Sequence, residues 1–203
     1  MEEGMATTAN PSGLKPVAYL GGRAYAGAVR HYRILSGYAT AIGENDVVRL
    51  GGSADTTSEG YIVKETGTAS LTKPLGVLRG VRYTDPATGQ IVHRPFYPGN
   101  VVASDIVAMV ADDPDLVFEV QANSAVAQSE LGKNCDLVQG SGVNATTGQS
   151  SHGVNGTTAT TDTLPFRVVG FVNRPGSAVG DAYTDVHVCW NAAIHAFRVA
   201  TAR

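Results

Sequence analysis

Residues 110–124 read VADDPDLVFEVQANS, and the fold class turns on how their three aspartates are taken. Asp112, Asp113 and Asp115 stand around Pro114, an arrangement that invites a metal-binding or catalytic acid cluster. The run after them argues otherwise. In LVFEVQA, Leu116, Phe118 and Val120 alternate with Val117, Glu119 and Gln121, one dry face against one wet face, which is the period of a half-buried antiparallel strand. Aspartate closes turns through its own side chain and proline presets φ at a turn corner, so the acidic stretch reads as the turn that launches a strand. A calcium loop needs ligands at fixed offsets with a glycine and a closing glutamate, and that pattern is missing here.

The same grammar extends in both directions. KPVAYL (15–20), AVRHYRIL (28–35), GYIVKETG (60–67), KPLGVLRGVRYTD (73–85), GQIVHRPFYPGN (89–100), DIVAMVAD (105–112), PFRVVGFV (165–172) and AYTDVHVCWN (182–191) are short apolar or alternating runs separated by turn residues. They predict an all-β protein, an antiparallel sandwich or partly closed barrel with long polar loops and little helix. The best helical candidate, AQSELGKNCDLV (127–138), is short: Ser124 or Ser129 would cap it and Gly132 would end it. Residues 140–163, almost all Gly, Ser, Thr, Asn and Ala, predict a long surface loop or a set of polar hairpins. Residues 1–16 read as a flexible N-terminal arm. The β-rich domain then covers 17–203, as one body or as two packed lobes over about 17–122 and 123–203.

Composition narrows the function. The chain of 203 residues has a formal net charge of −3 with no basic block, which disfavours nucleic acid and an anionic membrane surface as partners. No stretch offers the roughly 18 apolar residues of a membrane span, and the acidic opening MEEGMATTANPSG lacks a leader pattern, so synthesis in a cytoplasm is expected. Cys135 and Cys189 are far apart with no CxxC, and are expected as free buried thiols. Two glycosylation sequons, at Asn144 and Asn155, carry no weight without secretion.

Catalytic signatures are weak. His31, His93, His152, His187 and His195 fall on five separate segments. Only His187 and His195, around Trp190, merit consideration as ligands, against the plainer readings of a solvent-facing strand histidine and one bonded to backbone. No serine stands in a GxSxG elbow, and no carboxylate pair sits in a recognisable groove. An enzyme, a metal and a cofactor are therefore not expected. The most informative apolar cluster is RPFYPGN, where Pro95 and Pro98 bracket Phe96 and Tyr97. The prolines hold an extended, non-ladder conformation, so the aromatics form either an internal plug or an anchor at an interface. On the second reading Phe96, Tyr97 and Pro98, with Leu14 and Pro16 from the arm, are the candidate contact residues.

The order of KPLGVLRGVRYTDPATGQIVHRPFYPGN, DDPDLVFEVQA, the Gly/Thr-rich stretch and PFRVVGFVNRPGSAVGDAYTDVHVCWNAAIHAFR resembles the decoration, or cement, proteins of tailed-bacteriophage heads, over about residues 40–198. Its elements are turn and packing patterns. The resemblance implies a β-rich structural protein on the outside of the virion's capsid, bridging neighbouring copies of the major capsid protein. It further implies assembly with itself, as a homotrimer in preference to a dimer, and offers no catalytic residues. A polar arm suits such a role, since a segment that orders on binding can reach across subunits. The alternative is a receptor- or carbohydrate-binding module of a phage particle, with loop 140–163 as its recognition surface.

Overall fold

The structure is a computed structural model that describes residues 8–51, 60–68, 71 and 73–200. Among these, thirteen strands follow one another: β1 (Lys15–Tyr19), β2 (Arg30–Arg33), β3 (Val47–Leu50), β4 (Ile62–Lys64), β5 (Pro74–Thr84), β6 (Ile91–Arg94), β7 (Val107–Ala111), β8 (Leu116–Gln121), β9 (Asn134–Cys135), β10 (Leu137–Val138), β11 (Gly153–Val154), β12 (Phe166–Phe171) and β13 (Asp185–Trp190). A five-stranded sheet has the order β1-β8-β13-β12-β9; a six-stranded sheet runs β2-β7-β5-β3-β4 with β6 beside β5; β10 and β11 form a ribbon. The protein is an all-β antiparallel sandwich. The edges of the six-stranded sheet approach through one bridge, Arg33 with Tyr61, and no closed barrel forms.

The stretch that decides the fold follows its alternation except at Val117, which was expected on the wet face with Glu119 and Gln121 but is buried in this central strand. Leu116, Phe118 and Val120 are buried, Glu119 and Gln121 are half-buried, and β8 pairs with both β1 and β13. Its turn is also as expected. The Leu116 N–H reaches the Asp113 carbonyl at 3.3 Å, and the Asp115 N–H donates to Asp113 Oδ1 at 2.8 Å, the self-capping that favours aspartate at such corners.

Two apolar clusters hold the layers. One lies between the sheets and joins Phe118, Val120, Phe166, Val188 and Trp190 of the first to Val47, Val77 and Ala111 of the second. Trp190 is its centre, with Phe118 edge-on at 5.4 Å and Phe166 at 4.9 Å between ring centroids. The other gathers Tyr32, Ile34, Ile42, Leu75, Leu78, Val81, Tyr97, Ile106 and Val110 inside the curl of the six-stranded sheet. The eleven-residue β5 serves both, being buried on both faces from Pro74 to Leu78 and then alternating Val81 and Tyr83 inward with Arg82 outward. Gly76 is required where β7 leaves the sheet, because a Cβ there would stand 2.2 Å from the Ala111 carbonyl oxygen.

Four expectations are corrected. The predicted arm is too long: Leu14 is fully buried, β1 begins at Lys15, and residues 8–16 are zipped to the body. The Gly13 N–H donates to the His152 carbonyl at 3.0 Å, Leu14 to Asn45 at 3.1 Å, and the Gln121 side chain to the Thr8 carbonyl at 3.2 Å. Residues 1–7 of that arm lie outside the described residues. The lobe boundary at 122 also fails, since β1 and β8 sit in one sheet with β12 and β13, and the six-stranded sheet is inserted between them in sequence. The predicted helix is a single 3-10 turn, Gln128–Glu130, with no side-chain cap, because Asn134 and Cys135 are drawn into pairing with β12. Loop 140–163 is not wholly superficial: Ser150, His152 and Val154 are buried, and β11 lies within it.

Candidate functional site

The proposed contact residues turn inward. Tyr97 is fully buried, Phe96 is 7 % exposed and Leu14 is 0 % exposed, which corrects their reading as interface anchors; Pro98 and Pro16 are half-buried. The plug reading of RPFYPGN is the one realised. The Phe96 ring lies against Gly148, where a Cβ would come within 2.0 Å of it, and Gly13 abuts Asn45 and Ser150 nearly as closely. Both RPFYPGN and the N-terminal segment thus clamp the loop at residues 148–152, though they reach it at different points.

That clamped loop carries a polar cluster that sequence reasoning missed. Asp46, immediately before β3, is fully buried and accepts hydrogen bonds from the Gly43 N–H at 2.7 Å and from the Ser150 hydroxyl. Lys64 of β4 reaches the same carboxylate at 2.7 Å. His152 is fully buried as well; its Nδ1 accepts from the Val47 N–H at 3.3 Å, which places the ring proton on Nε2, 3.5 Å from Asp46 Oδ1. Nothing in the spacing announces this set, because Asp46 and Ser150 are 104 positions apart.

Serine, histidine, aspartate and lysine together resemble a hydrolytic site in composition only. A nucleophile needs its hydroxyl aligned on a base and open to substrate. Ser150 gives its proton to Asp46, the acceptor nitrogen of His152 is occupied by backbone, and all four side chains are shut away from solvent. The cluster is a polar rivet tying the 148–152 loop to β3 and β4.

Its electrostatics predict acid sensitivity. Burial, opposed by Asp46 and aided by the Lys64 cation, pushes His152 down to about 4. Burial pushes the Asp46 carboxyl up, but the His152 and Lys64 charges and the Lys64 and Ser150 hydrogen bonds outweigh it and hold it low; with His152 neutral, Lys64 and Ser150 carry that effect. His195, whose Nε2 donates to the Leu75 carbonyl at 2.9 Å, is also held low, chiefly by burial. Histidines depressed in the folded state bind protons more readily in the unfolded chain, so stability is full above the unfolded value and declines as pH falls toward the folded one. For His152 this window runs from the ordinary 6.5 to about 4 and amounts to about 3 kcal/mol, with Asp46 adding its loss below that. Urea midpoints measured from pH 7 to pH 4 should fall steadily; a flat profile between pH 6.5 and 4.5 would contradict the neutral buried imidazole.

The remaining predicted residues separate. Asp112 accepts from the Tyr32 hydroxyl at 2.6 Å and pairs with Arg30 at 3.3 Å, whereas Asp115 pairs with Arg198 at 2.6 Å. The three aspartates therefore serve different contacts. His187 lies half-buried opposite Glu119 across β8 and β13, while His195 turns inward against Trp190. Cys135 and Cys189 are free and buried as expected, and burial drives the Cys135 thiol up to about 12, the range of an unreactive thiol.

Outside the core, a polar cleft of about 570 Å3 opens where the N-terminal segment crosses the two sheets, between Lys15, Glu44, Gln121, Gln149 and Arg174. Arg174 donates to Glu119 at 2.7 Å and to Asp185 at 2.9 Å, and Arg79 bonds the Asn45 side chain and pairs with Glu44 at 3.4 Å. Arg174 is thus met by two carboxylates of the wall itself, and Glu44 by Arg79 from behind it. Among the described residues the lining has no aromatic ring on which a sugar or small ligand could stack. No protein-family model, curated protein or solved structure matches the chain.

Proposed function

We propose that this protein is a structural component of a bacteriophage virion, a decoration protein that binds the outside of the capsid and ties neighbouring major capsid subunits together. The observation that carries the reading is where the decoration-like segments fall. They supply β5, the turn and strand of β8, and the β12–β13 pair with the segment after it, which line the joint between the sheets, and β6, which flanks β5 on its exposed side. The C-terminal segment completes that joint, as the Ala196 N–H donates to the Pro74 carbonyl at 2.9 Å and His195 bonds Leu75. A body stitched in this way, with its ionisable cluster sealed, suits a load-carrying module, for which a rigid shape and repeated contacts matter more than a reactive pocket.

The reading includes self-assembly as a closed trimer, since closed symmetry avoids open-ended growth and matches a local axis of an icosahedral shell. Counting copies per particle by quantitative mass spectrometry of purified virions tests the proposal. Hundreds of copies are expected. A handful would fit a receptor-binding module instead, and none would remove the virion reading.

A further inference from the structure

One face of the six-stranded sheet changes character along its length. On β7, the side chains of Val107, Met109 and Ala111 alternate to the same face; Ala111 is buried in the inter-sheet core, whereas Val107 and Met109 lie beyond it, half-buried. Cross-strand pairing sets basic groups on either side of them. Arg33 of β2 faces Val107, which faces Arg82 of β5, which faces His93 of β6, and in the next row His31 faces Met109. The β-bulge between Leu78 and Gly80 is what brings Arg82 onto this face. The result is a groove of about 430 Å3 with an apolar floor of Val107 and Met109 and walls of His31, Arg33, Arg82 and His93.

The sign of this groove runs against that of the molecule, whose formal net charge is −3. The carboxylate near its end, Asp105, is held by the Thr84 N–H at 3.1 Å and the Thr84 hydroxyl at 2.7 Å; it also feels the Arg82 charge, but the two make no hydrogen bond or close ion pair among the described residues. Arg82, His31 and His93 are exposed. We infer that this face docks an acidic peptide segment of a partner protein, extended across the strands, its carboxylates on Arg82 and the imidazoles and its aliphatic side chains on Val107 and Met109. Guanidinium groups favour carboxylates by bidentate hydrogen bonding. An apolar floor with one exposed guanidinium, that of Arg82, between two exposed imidazoles fits alternating acidic and aliphatic side chains better than a phosphodiester backbone, which is held by many cationic contacts. The inference stands whether or not the partner belongs to a virion.

Fluorescence anisotropy with a dye-labelled (Glu-Val)5 peptide at low ionic strength tests it on the full chain. Binding is expected to weaken with added salt, to fall about tenfold or more in Arg82→Glu, and to fall also in Met109→Ala through loss of the floor. Circular dichroism should show both variants folded, as Arg82 is exposed and Met109 lies at the surface of the sheet. A (Lys-Val)5 control should not bind. Failure of the wild type to bind, or equal binding by Arg82→Glu, would overturn the inference, and tighter binding of a single-stranded oligonucleotide with the same number of charges would overturn the choice of a peptide.

Discussion

Asp46→Asn will destabilise the protein by about 3–5 kcal/mol, a large part of the stability of a typical domain. The cost does not come from losing an attractive pair as such. It comes from leaving the Lys64 ammonium, 9 % exposed at its side chain and 2.7 Å from the carboxylate, buried without a counter-charge. The Ser150 hydroxyl and the Gly43 N–H lose their charged acceptor in the same step, and charge-assisted bonds are the stronger kind. If this is the mechanism, removing both charges should be milder than removing one, so Asp46→Asn with Lys64→Met should recover much of the loss. Urea denaturation of wild type, single and double variants measures it. A single variant as stable as wild type would show that the buried charge is not maintained.

Tyr97→Ala should cost a similar amount, about 3–5 kcal/mol, and should do so in the isolated protein. The ring is fully enclosed, its hydroxyl donates to the Tyr38 carbonyl at 2.8 Å and accepts from the Val101 N–H at 3.3 Å, and its backbone exchanges two hydrogen bonds with Ile42. One residue thus pins two crossing segments over the curl of the six-stranded sheet. Thermal melts of the purified variant should show the full loss. A variant that melts like wild type yet binds a partner poorly would restore the interface reading of RPFYPGN.

Strand existence was legible because alternation is a local property: Phe118 and Glu119 report opposite faces to anyone reading a few residues either side. Turn chemistry was equally local, as at Asp113-Pro114-Asp115. The nesting of one sheet inside the sequence of the other was not legible, because β1 looks like any edge strand until its partner β8, about a hundred residues later, is known. The arm misled for a related reason. Residues 8–14 are polar and small, yet they are held by backbone carbonyls and amides that composition does not report, with Leu14 as their one apolar anchor. His152 was hidden in a Ser/Gly run that reads as surface, and its burial depends on Asp46 and Lys64 closing over it from two distant strands.

The proposed capsid-exterior role is tested most directly by adding the purified protein to phage shells assembled without it, then sedimenting the shells and counting what travels with them. Saturable binding is expected, reaching a plateau at hundreds of copies per shell and raising the temperature at which the shell comes apart. Protein that stays in the supernatant at micromolar concentration, with shell stability unchanged, would contradict that role.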